Sequence, residues 1–177
     1  MTALFIQKVG IYGPRLIHDI GFGMLDCAAA YGSIGHESNG FLAYHEGGQA
    51  PSRGGVSWCQ WTDARRRLFE AWCHQHGLAL TSDAAGYGFL VHELTGSEAG
   101  AISAMRRHAD LHGKVVAFTD EFERPRVKAI ASREKWARLA LSVLQPGHHE
   151  IVTPPPVRKV ARKPVADRHR VGKHHHG

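Results

Sequence analysis

The stretch from Met24 to Ile34 constrains this chain more than any other, because it is small or apolar on nearly every side of a helix. A helix without a polar face has to be buried all round, so other elements must surround it. The flanking sequence supplies them as helices. Pro14 suits a first helical turn, Leu16, Ile17 and Ile20 share a face after it, and Gly21 and Gly23 end the run. Thr62 reads as an N-cap with Asp63 in the first turn, Leu68, Phe69 and Trp72 form a stripe, and Gly77 stops it. Further helices are expected from Ser82 to Leu94, Ser97 to His108 and Lys114 to Phe122, the last halted by Pro125. In the final one, Ser132 to Leu144, Trp136, Leu139, Ala140, Val143 and Leu144 fall at helical spacing. Strand patterns are nearly absent, apart from a short hairpin expected near 44–59, within a Gly-rich loop that begins at Asn39. The expected fold class is all-α.

The folded domain is expected to span 1–145. Beyond it, from Pro146 to Gly177, large apolar residues nearly vanish, and such a segment cannot offset its ordering entropy. It reads as a flexible basic tail, with seven Lys or Arg against two acids, while the preceding residues carry fifteen against fourteen. His174, His175 and His176 read as solvated tail rather than a metal site. Cys27, Cys59 and Cys73 are odd in number, which argues against a disulfide framework. Cys27 and Cys73 read as core side chains, and Cys59 stands beside a candidate cleft motif. The first ten residues lack the pattern of a secretory signal, and no apolar run is long enough to span a membrane. Synthesis in a cytoplasm without export by that route is the expectation.

Two stretches carry candidate chemistry. Glu37 and Ser38 follow directly on the buried helix. Desolvation favours the protonated form of a carboxyl, which is what donating a proton to a glycosidic oxygen requires. The plainer reading is an acid that ends a helix and faces water. From Gly54 to Thr62, Trp58, Gln60 and Trp61 suit a sugar-binding surface, since flat aromatic faces stack on pyranose rings and an amide both donates and accepts. The plainer reading there is two core tryptophans framing a helix start. No His or Cys spacing suits zinc, and Gly86-Tyr87-Gly88 lacks the Lys-Ser or Lys-Thr of a phosphate loop.

In order, residues 21–41, Tyr44 to Gly48 and residues 53–73 resemble the phage tail lysozyme family. Its members carry an Ala-rich helix leading into Glu-Ser, then Gln-Trp-Thr-Gly-x-Arg-Arg. Here the second motif runs from Gln60 to Arg66, with Asp63 in place of the usual Gly. The likeness continues through Phe89 to Leu94 and closes at Phe122-Glu123-Arg124-Pro125, covering about residues 14–144. It implies a lysozyme-like helical fold, peptidoglycan as substrate, Glu37 as catalytic acid and Gln60 in the cleft; separately, no cofactor or metal is expected. Ser38, Trp58, Trp61 and Thr62 are the other expected substrate contacts. Glu46, in the Gly-rich loop, is the candidate second carboxylate for activating water. Without it, a transglycosylase route is open, in which Glu37 serves as acid then base and the sugar's own 6-hydroxyl replaces water. His36 and His45 flank the two carboxylates, and Arg65, Arg66 and Arg67 read mainly as a solvated basic face.

The rival readings are a chitinase-like glycosidase and a non-catalytic wall-binding virion protein. Origin in a phage or prophage fits either a free endolysin released through a holin or a tail-borne enzyme in contact with tail proteins. A monomer is expected. The basic tail suits anionic envelope polymers, and its lack of aromatic residues gives no support to nucleic acid as a partner.

Overall fold

The computed structural model describes residues 2–50 and 52–145. The basic tail read from the sequence lies outside the described residues. Helix α2, Met24–Glu37, is the central element, and Cys27 through Gly35 along it are buried without a break. An all-round apolar helix is therefore enclosed, as its composition demands. Around it stand α1 (Thr2–Ile20), α3 (Asp63–His76), α4 (Asp83–Thr95), α5 (Ala99–Arg106), α6 (Leu111–Phe118) and α7 (Ile130–Leu144). Among the described residues there is no strand, so the fold is all-α. In place of the expected hairpin, two isolated antiparallel bridges pair His45 with Val56 and Val56 with Trp61.

Helix α1 begins at Thr2 rather than at Pro14, which lies inside it. Phe5, Val9 and Leu16 bury one face, and buried Lys8 is held by Asp83 and by the Tyr44 hydroxyl at 3.1 Å. Pro14 is exposed, so its ring crowds no packed neighbour although it removes one helix hydrogen bond. The expected helix over 114–122 divides instead. Helix α6 passes into a π-helical turn, Thr119–Glu123, in which Phe122 stacks on Phe118 with ring centroids 4.7 Å apart. The turn ends at Arg124, whose φ is 48°.

Helix α7 packs along α2 at very short range. A Cβ on Gly32 would lie 2.6 Å from the Arg133 carbonyl oxygen and 2.7 Å from the Ala137 Cβ. One on Gly35 would meet the rings of Phe5 and Trp136 at 2.7 and 2.9 Å. Only glycine allows this approach, and it brings Arg133 of α7 beside the C-terminal end of α2.

Candidate active site

Glu37 is the last residue of α2, and its side chain keeps 22% exposure. The carboxylate is paired with the Arg133 guanidinium, which is wholly buried. The same guanidinium donates from Nε to the Lys128 carbonyl at 2.8 Å, while its Nη1 is buried with no partner. Glu37 opens into a cleft of about 520 Å³. Gln60, Trp61, Thr62, Arg65 and Glu123 share its lining.

A buried network shapes the cleft wall. Glu93 of α4, 3% exposed, accepts from Trp61 Nε1 at 2.7 Å and from Arg65 Nε and Nη2 at 2.8 and 2.7 Å. Arg65 also donates to the Phe122 carbonyl at 2.9 Å and lies 4.5 Å over the Phe122 ring. A bidentate arginine thus ties α3, α4 and the π-helical turn together, in the geometry where charge-assisted bonds are strongest. Arg65 is not the solvated side chain its sequence context suggested. Arg66 pairs with Glu70 at 2.7 Å and donates to the Arg53 and Gly54 carbonyls at 2.7 and 3.0 Å. Asp63 has φ 49°, the left-handed region that favours the glycine it replaces and that Asp tolerates better than most residues.

The residues expected at the site fall into three groups. Glu37, Gln60, Trp61 and Thr62 line one cleft. Gln60, held at φ 47°, donates its amide to the Ala43 and Ser57 carbonyls at 3.0 and 2.9 Å, leaving Oε1 to accept. Ser38 and Trp58 differ from expectation, because neither offers a surface. Ser38 is 1% exposed, and its hydroxyl donates to the Ile34 carbonyl at 2.6 Å and accepts from the Phe41 amide at 2.9 Å. Trp58 is wholly buried among Tyr12, Phe41 and Tyr87, and Gly86 leaves it the room. Trp61 is 1% exposed, so it forms the wall of the cleft rather than a stacking platform.

Glu46 is exposed and lines an adjoining depression with Gln49, Arg53 and Arg66, where its carboxylate accepts from the Gly55 amide at 2.9 Å. Thr62 and Asp63 border both hollows. His36 is bonded to the Ser132 hydroxyl at 2.9 Å, and burial, with help from Arg133 and against the pull of Glu37, lowers its pKa. Cys59 is buried at the cleft wall, and burial pushes its thiol far above the usual range. Cys27 and Cys73 are buried and free.

Sequence reasoning passed over Glu93, Arg133 and Glu123. Glu123 carries a signal in hindsight, since it stands in the closing motif that supported the family likeness. Its residue keeps some surface, but its Oε1 is buried without a partner. Burial, then the charge of Glu37, pushes its pKa up to about 8, against the opposing pull of Arg133 and Arg65. Among the described residues no cluster of three His, Cys, Asp or Glu is placed to hold a metal ion.

The described residues form an all-helical domain with a carboxyl at the end of its enclosed helix, opening into a polar cleft. The family model for phage tail lysozyme matches residues 15–144, and the chain belongs to that family. Membership makes it, in general terms, a lysozyme-like hydrolase of peptidoglycan that acts on the bacterial cell wall. No curated protein and no solved structure matches the chain. No helix among the described residues is long and apolar enough to cross a membrane.

Proposed function

We propose that this chain is a muramidase of phage or prophage origin that cleaves the β-1,4 bond between N-acetylmuramic acid and N-acetylglucosamine, with Glu37 as the general acid. The observation that carries the reading is the position of Glu37. It is a partly exposed carboxyl at the end of a buried helix, in a cleft shared with Gln60 and Thr62. Gln60 Oε1 and the Thr62 hydroxyl supply polar contacts to the sugar there. Ser38 and Trp58 act from beneath, by fixing the end of α2 and the aromatic floor. The enzyme reaches the wall as a free endolysin or on a virion tail.

For the second step, Glu46 activates water from across the Thr62–Asp63 edge. A transglycosylase reading has its own support, because Glu46 lines the adjoining depression and not the cleft of Glu37. In that route Glu37 takes the proton of the 6-hydroxyl after donating its own. Mass spectrometry of muropeptides from purified sacculi separates the two, as reducing ends mark hydrolysis and 1,6-anhydro ends mark transglycosylation. Glu37→Gln is expected to stay folded at assay temperature by circular dichroism, to melt lower because Arg133 loses its buried counter-charge, and to slow muropeptide release by about 10²–10⁴-fold, the range for loss of a general acid. Undiminished release by that variant overturns the assignment of Glu37. Glu46→Gln is expected to slow hydrolysis and to leave transglycosylation unchanged.

A further inference from the structure

The hollow beside the cleft of Glu37 has a volume of about 560 Å³, an ordinary size for a ligand site, and meets the cleft along the Thr62–Asp63 edge. Its floor is closed by bonds within the protein. Arg66, 9% exposed, is bound to Glu70 at 2.7 Å and to the Arg53 and Gly54 carbonyls at 2.7 and 3.0 Å. The Gly-rich loop over it is clasped. The Glu46 amide donates to the Gly55 carbonyl at 2.9 Å, and the Gly55 amide donates back to the Glu46 carboxylate at 2.9 Å. Gly54, at φ 77°, leaves room for the clasp, since a Cβ there would lie 2.8 Å from that carboxylate. The hollow is thus formed in advance, and a ligand entering it has little loop ordering to offset. The rim is the opposite of the floor. Arg53, Arg67 and Asp63 are exposed on it, and among the described residues their charged groups make no hydrogen bond or ion pair.

A hollow with a finished floor and uncommitted charges of both signs on its rim suits a ligand that also carries both signs. A neutral sugar has no use for two free guanidinium groups. A polymer with negative charge alone would meet Asp63 and Glu46 as well as the arginines. The stem peptide of peptidoglycan has the matching chemistry, with several carboxylates and, before cross-linking, a free amine. It branches from the lactyl group of the muramic acid, the sugar that presents its scissile bond to Glu37. A peptide leaving the cleft sideways has to cross an adjoining surface, and the Thr62–Asp63 edge opens onto this one. We propose that the hollow is a subsite for the stem peptide of the muramic acid whose bond is cut, in which Arg53 and Arg67 take carboxylates and Asp63 takes the ammonium. A guanidinium donates to a carboxylate through two parallel bonds, which gives direction as well as charge. The proposal rests on the muramidase reading and makes the peptide, as well as the glycan, part of what the enzyme recognises.

The first test needs no activity. The full chain, labelled with nitrogen-15, is titrated with an N-acetylmuramyl peptide and separately with N-acetylmuramic acid alone. Amide resonances of Gln49, Ser52, Gly54 and Arg67 should move with the peptide-bearing sugar and stay in place with the bare one. Absence of peptide-dependent shifts at these positions overturns the proposal, as do equal shifts with both ligands, which would assign the hollow to sugar. The second test compares kcat/KM on soluble glycan strands that keep their peptides with strands stripped of them by an amidase. The parent should prefer the peptide-bearing strands by about threefold or more, the scale of two part-exposed ion pairs. In the double variant Arg53→Gln with Arg67→Gln the preference should fall to near one. Both side chains are exposed, so the variant should keep the parent's circular dichroism spectrum. A parent without preference, or a double variant that loses rate on both strands alike and keeps the ratio, overturns the proposal. If neither strand is cut, the muramidase reading fails and the titration alone decides whether the hollow takes the peptide.

Discussion

Glu123 ties the stability of the fold to pH. Burial raises its pKa from the ordinary carboxyl value of 4.5 to about 8 in the folded chain. Between those two values the folded state binds a proton that the unfolded state has lost. Stability must therefore fall as pH rises through that window and level off above it. Glu123→Gln removes this slope. The melting temperature of the variant minus that of the parent is expected to rise steadily from pH 5 to pH 8 and to flatten beyond, which thermal denaturation at half-unit steps will read. A constant difference over that range shows that Glu123 already ionises in the folded chain at low pH. The place of Glu37 at the end of the buried helix was legible from the Ala-rich run before it, while its candidacy as the acid came from the ordered family motifs around it. The partners were not. Arg133 is 96 residues from Glu37 and looks like any polar residue of an exposed helix face. Glu93 stands in the Phe89-to-Leu94 motif of a mostly apolar helix, and only the fold gives it Trp61 and Arg65. Trp58 misled for the opposite reason, because an aromatic ring serves a core as well as it serves a sugar.

The seam between α2 and α7 sets where Glu37 and Arg133 meet. The sequence pattern on α7 pointed to Trp136, Leu139, Ala140, Val143 and Leu144 as its buried stripe. The fully covered line runs instead through Arg133, Ala137, Ala140, Val143 and Leu144, with Trp136 and Leu139 only partly buried at its side. Periodicity ranks residues by apolarity. It cannot register that Gly32 and Ala137 are favoured for being small, or that a buried arginine has an acid waiting. A methyl group added at Gly32 must push α7 away or distort it, because the obstacle is a backbone carbonyl and a Cβ rather than a flexible side-chain tip. Gly32→Ala is expected to cost about 1–3 kcal/mol in urea denaturation, the usual range for overpacking. It should also lower activity, since the displaced helix carries Arg133. Gly100→Ala is the control. It lies in α5 with open space where the Cβ would stand, so it should be neutral or stabilise by up to about 1 kcal/mol. In helix α1 a proline suits a helix start by its chemistry, yet the exposed side on which Pro14 falls makes it tolerable well inside the helix.

At the scale of the whole molecule, charge is divided more sharply than structure. Residues 1–145 carry fifteen Lys or Arg against fourteen acids, and the remaining 32 residues hold seven against two. The cleft lining carries charge of both signs, Arg65, Arg124 and Arg126 against Glu37, Asp63 and Glu123. Attraction to an anionic envelope therefore has to come from the C-terminal segment. Such attraction acts over about a Debye length, roughly 30 Å at 0.01 M salt and about 8 Å at 0.15 M. A chain ending at Gln145 is expected to clear whole cells several-fold more slowly than the parent at 0.01 M salt. The difference should shrink towards none at 0.15 M. On soluble glycan fragments, which present no charged surface of that extent, the two should turn over at the same rate at either salt. Turbidity clearing and fragment release, measured side by side, give both readouts. Equal loss on cells and on fragments assigns the segment to the folded domain, while a loss on cells that persists at high salt assigns it to a specific contact rather than to charge.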